Sequence, residues 1–456
     1  MSRSADNMEW NASETIAQFS VGFSALDLSP AHYRLCSRAL IDTVAVAVAG
    51  RAEQASRLAL RYAEQQGGVP GATAWGADVL LSIEHAALYN GIAGHVLDYD
   101  DVTSPLRGHP SIALLPPLVA LAEAQDKTGE ALAVAFVVGF EVLCKLARCM
   151  VADHYAKGWH STASVGTLGA TVACARLLGL SAMETRHAVG LAVAQTAGTR
   201  ANFGTMAKSF QAGNAGAAAL RAVLLAQAGF TGAPDALGAP FGYMDLYANG
   251  EDPVATLTEL GRAPLEMDTS GFEIKKYPLC YATHRAIDGV LDLKREHGIE
   301  MADVKGVEII ANNRALVPLI YPRPATGLEG KFSMHYAVVA ALLDGRVSLA
   351  SFQDDAVQRP AVQTRLAMVN AREDEGAQSP RWTVVRIFMN DGRVLEKRVT
   401  TLRGAANCPL TDAELIDKAR DCFAFSAMAA HADGFVDAAM SLRDRKVRDI
   451  IATLGA

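Results

Sequence analysis

With 456 residues, half of them hydrophobic, and a formal net charge of -7, the chain is long enough for two cores and too acidic to offer a nucleic-acid or anionic-membrane surface. It has no Lys/Arg run, and its most apolar stretch, 131–143, is far short of the ~20 residues a membrane span requires. The seven cysteines lack CxxC spacing and read as reduced thiols, and MSRSADNMEWNASE lacks the apolar segment of a signal peptide, so a cytoplasmic protein is expected.

The first two thirds of the chain read as helix. Ser29-Pro30 opens a segment that runs through 49 and stops at Gly50. Further helices are predicted over 54–66, 81–93, 112–124, 130–152, 163–178, 182–197 and 212–228. They are rich in Ala and Gly, and several are apolar on nearly every face, which requires burial by other helices. The pattern changes after about Asp268. Residues 306–311 alternate, and 382–389 and 393–399 flank Asn390-Asp391-Gly392, which is a hairpin signal. Helices at 283–297 and 333–343 lie between these strands. Thr411 and Glu414 have capping-box spacing at the start of the C-terminal helices. The fold class is therefore mainly α: a large all-helical domain over 1–268, completed by 410–456, and a smaller α+β domain over 269–409 with an antiparallel sheet.

The chemistry concentrates at four helix starts. GHVLDYDDVTSPLRGHPS, 94–111, holds His95, Asp98, Asp100, Asp101, Thr103, Arg107 and His109 between two apolar helices, and Pro110 places His109 at a helix N-terminus. His160 precedes the 163–178 helix, with Ser161 or Thr162 as its cap. Lys208 stands just before the 212–228 helix. Lys275, Lys276, Cys280 and Tyr281 precede a helix expected to be capped by Thr283. If these ends converge, cations and N–H donors line a cup suited to a polycarboxylate, with Lys208 and Lys275 facing the same cleft as His109 and His160. Arg107, the only guanidinium in the first loop, is a natural bidentate partner for a carboxylate. Taken singly, each feature also has a plain reading: a histidine at a helix end usually caps it, Lys275 and Lys276 read as an exposed pair, and Tyr281 and Tyr321 as core aromatics. What favours function is that His109, His160 and Lys208 stand in apolar, small-residue surroundings. A metal site built from His95, Asp98, Asp100, Asp101 and His109 is the alternative of another class, although its spacing matches no standard zinc or calcium signature.

Several motifs together, GHVLDYDD…RGHPS, GWHSTASVGTLGA, FGTMAKSFQAGNAGAAALRA, IKKYPLCYATHRAIDG and GKFSMHYAVVAALLDGRVSLASF, resemble the MmgE/PrpD family over roughly 40–399. The resemblance implies a helical domain built from both chain ends, an α+β lid, a cofactor-free and metal-free site between them, a homodimer, and proton abstraction next to a carboxylate of a small polycarboxylate. It marks Asp98, His109, His160, Lys208, Lys275 and Tyr321 as the site, the first four as catalytic; Thr103, Cys280 and Tyr281 are further substrate-binding candidates beside Lys275, Tyr321 and Arg107. Cys280 stands where animal cis-aconitate decarboxylases of the family carry a histidine. The 98–109 loop, LCYATH and LIYPRP are closest to the iminodisuccinate epimerase branch, with 2-methylcitrate dehydratase and cis-aconitate decarboxylase as the alternatives. In this chemistry His109 and His160 are the expected acid/base pair, Lys208 their rival, and Asp98 the carboxylate that orients an imidazole.

Overall fold

The computed structural model describes residues 10–248 and 250–455, without the side chains of 151–153; residues 1–9 of the stretch read for a signal peptide lie outside the described residues. The chain groups into two compact units, one of 1–96, 100–272 and 426–456, the other of 97–99 and 273–425. Contacts thus divide the 410–456 segment, expected to pack as a whole on the helical domain: 410–425 belong to the second unit and 426–456 to the first.

The first unit holds α1 (Ala12–Gly22), α2 (Pro30–Gly50), α3 (Gln54–Gln66), α4 (Ile83–His95), α5 (Pro110–Ala124), α6 (Gly129–His154), α7 (Ser161–Leu178), α8 (Ala182–Val193) and α9 (Met206–Gln227). The helix α1 has no strong apolar pattern and was not foreseen. A two-residue antiparallel ribbon, β1 (Ala72–Thr73) with β2 (Leu80–Leu81), is the one exception to the all-helical expectation here among the described residues.

Small residues let these helices approach closely. α4 is buried from Ala86 to His95, and it meets α9 at Gly91 and Gly213: a Cβ on Gly91 would lie 2.5 Å from the Gly213 Cα, and one on Gly213 would lie 2.3 Å from the Leu88 carbonyl oxygen. The helix α5 carries Pro116 and Pro117 in its interior and is buried along nearly its whole length. Each proline removes an N–H donor, and burial against neighbouring helices keeps the segment helical where propensity alone would not.

The second unit contains α10 (His284–His297), β3 (Val304–Ala311), α11 (Met334–Asp344), β4 (Val369–Glu373), β5 (Thr383–Met389), β6 (Val394–Val399) and α12 (Asp412–Phe425). Its sheet has the order β4-β3-β5-β6. The expected hairpin forms, with Phe388 opposite Val394 and Arg386 opposite Glu396. The sheet is mixed, however, because β4 lies parallel to β3. That short strand, Val-Asn-Ala-Arg-Glu, has no clear apolar alternation and gave no signal. Ile287, Val290, Val338, Leu342, Val307, Ile309, Val385 and Ile387 form the core between α10, α11 and the sheet. Thr411 and Glu414 cap each other reciprocally at α12 as expected (2.9 and 3.2 Å). In the first unit, α13 (Ala432–Met440) packs on α2.

Candidate active site

Four helix ends of the first unit meet around three imidazoles. His95 is the last residue of α4, His109 is the N-cap of α5, and His160 is the N-cap of α7. Neither N-cap histidine makes a side-chain capping bond, which leaves both rings for other partners. Ser161 and Thr162, the expected caps of α7, sit inside the helix instead, and Thr162 Oγ1 accepts from the His109 backbone N–H at 3.0 Å, tying the two helix starts together. Gly108 lies beside this contact, where a Cβ would come within 2.7 Å of Thr162 Oγ1.

Asp100 connects the histidines. Its Oδ2 lies 2.8 Å from His95 Nδ1 and 3.0 Å from His109 Nδ1. The His95 and His109 rings meet edge to face at 4.6 Å, and the His95 and His160 rings stack at 5.7 Å. His160 Nδ1 lies 2.7 Å from Gln211 Oε1, and the Gln211 Nε2 donates to the Thr199 carbonyl at 3.1 Å. Phe203 flanks His160 at 5.0 Å, and the Lys208 ammonium lies 5.6 Å from the Phe203 ring. Lys208 is half-buried in the first turn of α9, which begins earlier than expected, with Thr205 as its cap (3.2 Å). A cavity of about 470 Å³ by Lys145 and Arg148 and another of about 380 Å³ that includes Gln211, Thr199, Asn202 and Asn214 lie in the same unit.

Burial sets the charge states. Desolvation lowers His95 to about 4 against the pull of Asp100, and lowers His160 to about 2 with help from His95 and Lys208. Burial alone would raise Asp100, but its contacts with His109 and His95 outweigh it and hold the carboxyl well below its usual range. Next to it, Asp101 is pushed up to about 8 by burial and by Asp42; it accepts from the Ser111 backbone N–H (3.1 Å) and from the Ser111 hydroxyl. Asp101 therefore secures the first turn of α5, two residues beyond His109.

His109, His160 and Lys208 are thus brought together as expected, whereas several other candidates are placed differently. Asp98 does not orient an imidazole: Asp100 stands in that position, and Asp98, at φ +53°, pairs with Lys275 at 3.1 Å. The two carboxylates are two residues apart, and composition gave no means of choosing between them. Arg107 is exposed at φ +48°. Thr103 is buried, and its hydroxyl donates to the Gly271 carbonyl at 2.6 Å, so it fastens the loop. His95 was read only as a possible metal ligand, and Gln211 and Phe203 carried no signal at all.

Lys275, Cys280, Tyr281 and Tyr321 lie in the second unit. Lys275 is buried, not exposed, and belongs to a lysine clamp: Lys331, Lys275 and Lys418 donate in turn to the carbonyls of Leu97 (2.9 Å), Asp98 (2.7 Å) and Tyr99 (2.9 Å). The Tyr281 phenol donates to Glu273, and burial pushes its pKa up. Cys280 donates its N–H to Lys331 O (3.0 Å) and Tyr321 its N–H to Phe332 O (3.3 Å); both residues are half-buried. Thr283 bonds back to Cys280 O at 2.8 Å and caps nothing with its side chain.

Among the described residues, His95, Asp100 and His109 are the group whose N and O atoms come close enough, within 4.8 Å, to be tested as a metal site. Asp98 and Asp101 of the expected ligand set are not in it. A tetrahedral ion with bonds of ~2.0 Å would hold its ligand atoms about 3.3 Å apart. The observed 2.8 and 3.0 Å are closer than that and are hydrogen-bond lengths.

His95 and His160, buried and held neutral, and His109 thus gather around Asp100 and Gln211 with Lys208 nearby, a set of side chains able to accept and donate protons. The chain belongs to the MmgE/PrpD family: the family's N-terminal domain matches residues 14–256 and its C-terminal domain matches 277–444. Relatives include the human cis-aconitate decarboxylase, 30% identical over 84% of this chain and 82% of that protein. The Aspergillus terreus cis-aconitate decarboxylase is 24% identical over 74% of this chain and 73% of its own length. The 2-methylcitrate dehydratase of Escherichia coli K12 is 27% identical over 45% and 44%. The protein is an enzyme of this lyase and isomerase family, and among the described residues no helix is long and apolar enough to cross a membrane. These relatives favour the decarboxylase and dehydratase branches, and the expected closeness to the epimerase is not shown by them.

Proposed function

We propose that this protein is a lyase for a small polycarboxylate, acting through a carbanion-like state next to a carboxylate, with cis-aconitate as the first substrate to test. The observation that carries this reading is the cluster of His95, His109 and His160 on Asp100 and Gln211, with Lys208 beside it. In a decarboxylation the bond to the departing carboxylate breaks, CO2 leaves, and the electron pair spreads into the remaining unsaturated acid. His109 then delivers a proton to the carbon, while Lys208 and the N-termini of α5, α7 and α9 offset charge on the substrate oxygens. In a dehydration the same imidazole takes the proton next to the carboxylate, the C–O bond breaks, and the imidazolium so formed returns that proton to the leaving oxygen, which departs as water.

Epimerisation remains the second reading, favoured by the 98–109 loop and by Cys280 in place of the decarboxylase histidine. Proton NMR in D2O with cis-aconitate, 2-methylcitrate and iminodisuccinate separates the three. Loss of a carboxyl carbon with deuterium at the new C–H, new vinyl signals, or exchange at an unchanged skeleton would each identify one reaction. A folded enzyme that alters none of the three would defeat the proposal. The homodimer implied by the resemblance belongs to this reading and is checked by light scattering.

A further inference from the structure

We propose that Asp100 and Gln211 are positioning residues that hold His95, His109 and His160 in the Nδ1–H form, so that each presents a neutral Nε2 as a proton acceptor and the working proton is assigned to the Asp100 pair, not to His160. Both partners accept where they touch the rings. An ionised carboxylate only accepts: Asp100 Oδ2 is hydrogen-bonded to His95 Nδ1 at 2.8 Å, and His109 Nδ1 approaches the same oxygen to 3.0 Å without the alignment of a hydrogen bond. The Gln211 amide is oriented by its Nε2, which donates to the Thr199 carbonyl at 3.1 Å; turned over, it would set two oxygens against each other. Its Oε1 is thereby aimed at His160 Nδ1, 2.7 Å away. In His95 and His160 the hydrogen must then sit on Nδ1 and the lone pair on Nε2, and at His109 a lone pair on Nδ1 would face the carboxylate oxygen at 3.0 Å, which favours the same form. His95 Nε2 is buried and has no hydrogen-bond partner among the described residues.

The two anchors differ in charge, and that difference divides the labour. Asp100 carries a negative charge that stabilises an imidazolium on His95 or His109. Gln211 carries none, and Lys208 further opposes a cation on His160. His160 therefore works as a neutral acceptor that orients the substrate, and His109, backed by Asp100, moves the proton. His95 holds Asp100 in place from the other side.

The use of this arrangement in turnover rests on the proposed lyase reading, so the test has two independent readouts. The first is long-range proton–nitrogen correlation on the full-length protein labelled with 15N-histidine, with resonances assigned by His95→Gln, His109→Gln and His160→Gln. All three rings are expected as the Nδ1–H tautomer at pH 7.5; an Nε2–H tautomer at any of them would overturn the proposal. The second uses Gln211→Glu, an isosteric change that gives His160 a carboxylate. The His160 titration should rise by about 1–3 pH units, and KM should rise with it at the acid end while the acid limb of kcat, set by the Asp100 pair, stays in place. A His160 titration unmoved in folded Gln211→Glu protein would also overturn the proposal. Asp100→Asn should lower kcat by ~100-fold or more and put the hydrogen of one ring on Nε2. Tautomers found as stated in a protein that turns over no polycarboxylate would defeat the functional reading and leave this one standing.

Discussion

Lowering the pH from 7 to 5 should weaken the fold, and the structure gives the slope. Four histidines are buried in the neutral form: His95 and His154 are lowered to about 4, His284 to about 3 and His160 to about 2, in each case first by desolvation, from 6.5. The unfolded chain takes up protons below about 6.5 that the native state refuses, so the stability these residues contribute is present above that pH and lost below it. Buried carboxyls act in the opposite sense, Asp101 and Glu141 among them. Asp101 is raised to about 8 and Glu141 to about 7, both first by desolvation, from 3.8 and 4.5; their contribution is complete in acid and is lost as pH rises through 7 and 8. At pH 5 the unfolded state holds roughly 3.7 extra protons on the histidines and the native state about 1.7 on the carboxyls, a slope of ~2.7 kcal/mol per pH unit. At pH 7.5 the sign for these six groups reverses, so their joint contribution is greatest between pH 6 and 7.5. Urea unfolding from pH 5 to 8 measures this directly. His154 stacks on Trp159 and bonds Ser164 at 2.7 Å outside the imidazole cluster, so His154→Phe should flatten the pH 5 slope by about 1 kcal/mol per unit. A stability that does not fall between pH 6 and 5, or a slope that His154→Phe leaves unchanged, would refute the reasoning.

Three further outcomes are expected. Lys208→Ala should cut turnover by about 100-fold or more in a protein with an unchanged melting curve, and near-normal turnover would remove Lys208 from the site. Gly213→Ala should cost about 1–3 kcal/mol, because the added methyl meets the Leu88 carbonyl at 2.3 Å; an unchanged thermal midpoint would show that α4 and α9 can part without penalty. Lys418→Met should cost about 2–4 kcal/mol in urea unfolding, since it leaves the buried carbonyls of Tyr99 and Lys275 without their donor, whereas Lys418→Arg should recover part of the loss.

The helices, the hairpin and the place of His109 at a helix start were legible because each rests on local rules: a period of 3.6, Asp-Gly at a turn, Pro after an N-cap. The strand β4 was not, since it is a five-residue edge segment with one buried side chain, Val369, and is held by pairing with β3. The choice of Asp100 over Asp98 was hidden for a different reason. Both are aspartates in one loop, and only the positive φ at Asp98, together with the Lys275 ammonium that takes both its carbonyl and its carboxylate, turns that side chain to another role. Gln211 lies 51 residues beyond His160. A long-range amide contact of that kind leaves no trace in composition or spacing.

The arrangement of charge explains why histidine serves here better than a second lysine. Asp100 and Lys208 bring opposite charges to the cluster, and the imidazoles add none while they are neutral, so burial of the cluster carries little net charge before substrate arrives. On the proposed function, a polycarboxylate would then bring negative charge beside these bases, and an anionic oxygen near the cluster would favour a proton on the imidazole it faces. In this reading the acid required to protonate the carbanion-like carbon is generated by the substrate's own charge. A permanently cationic side chain in place of His109 could bind the same anion but could not begin the cycle as a base.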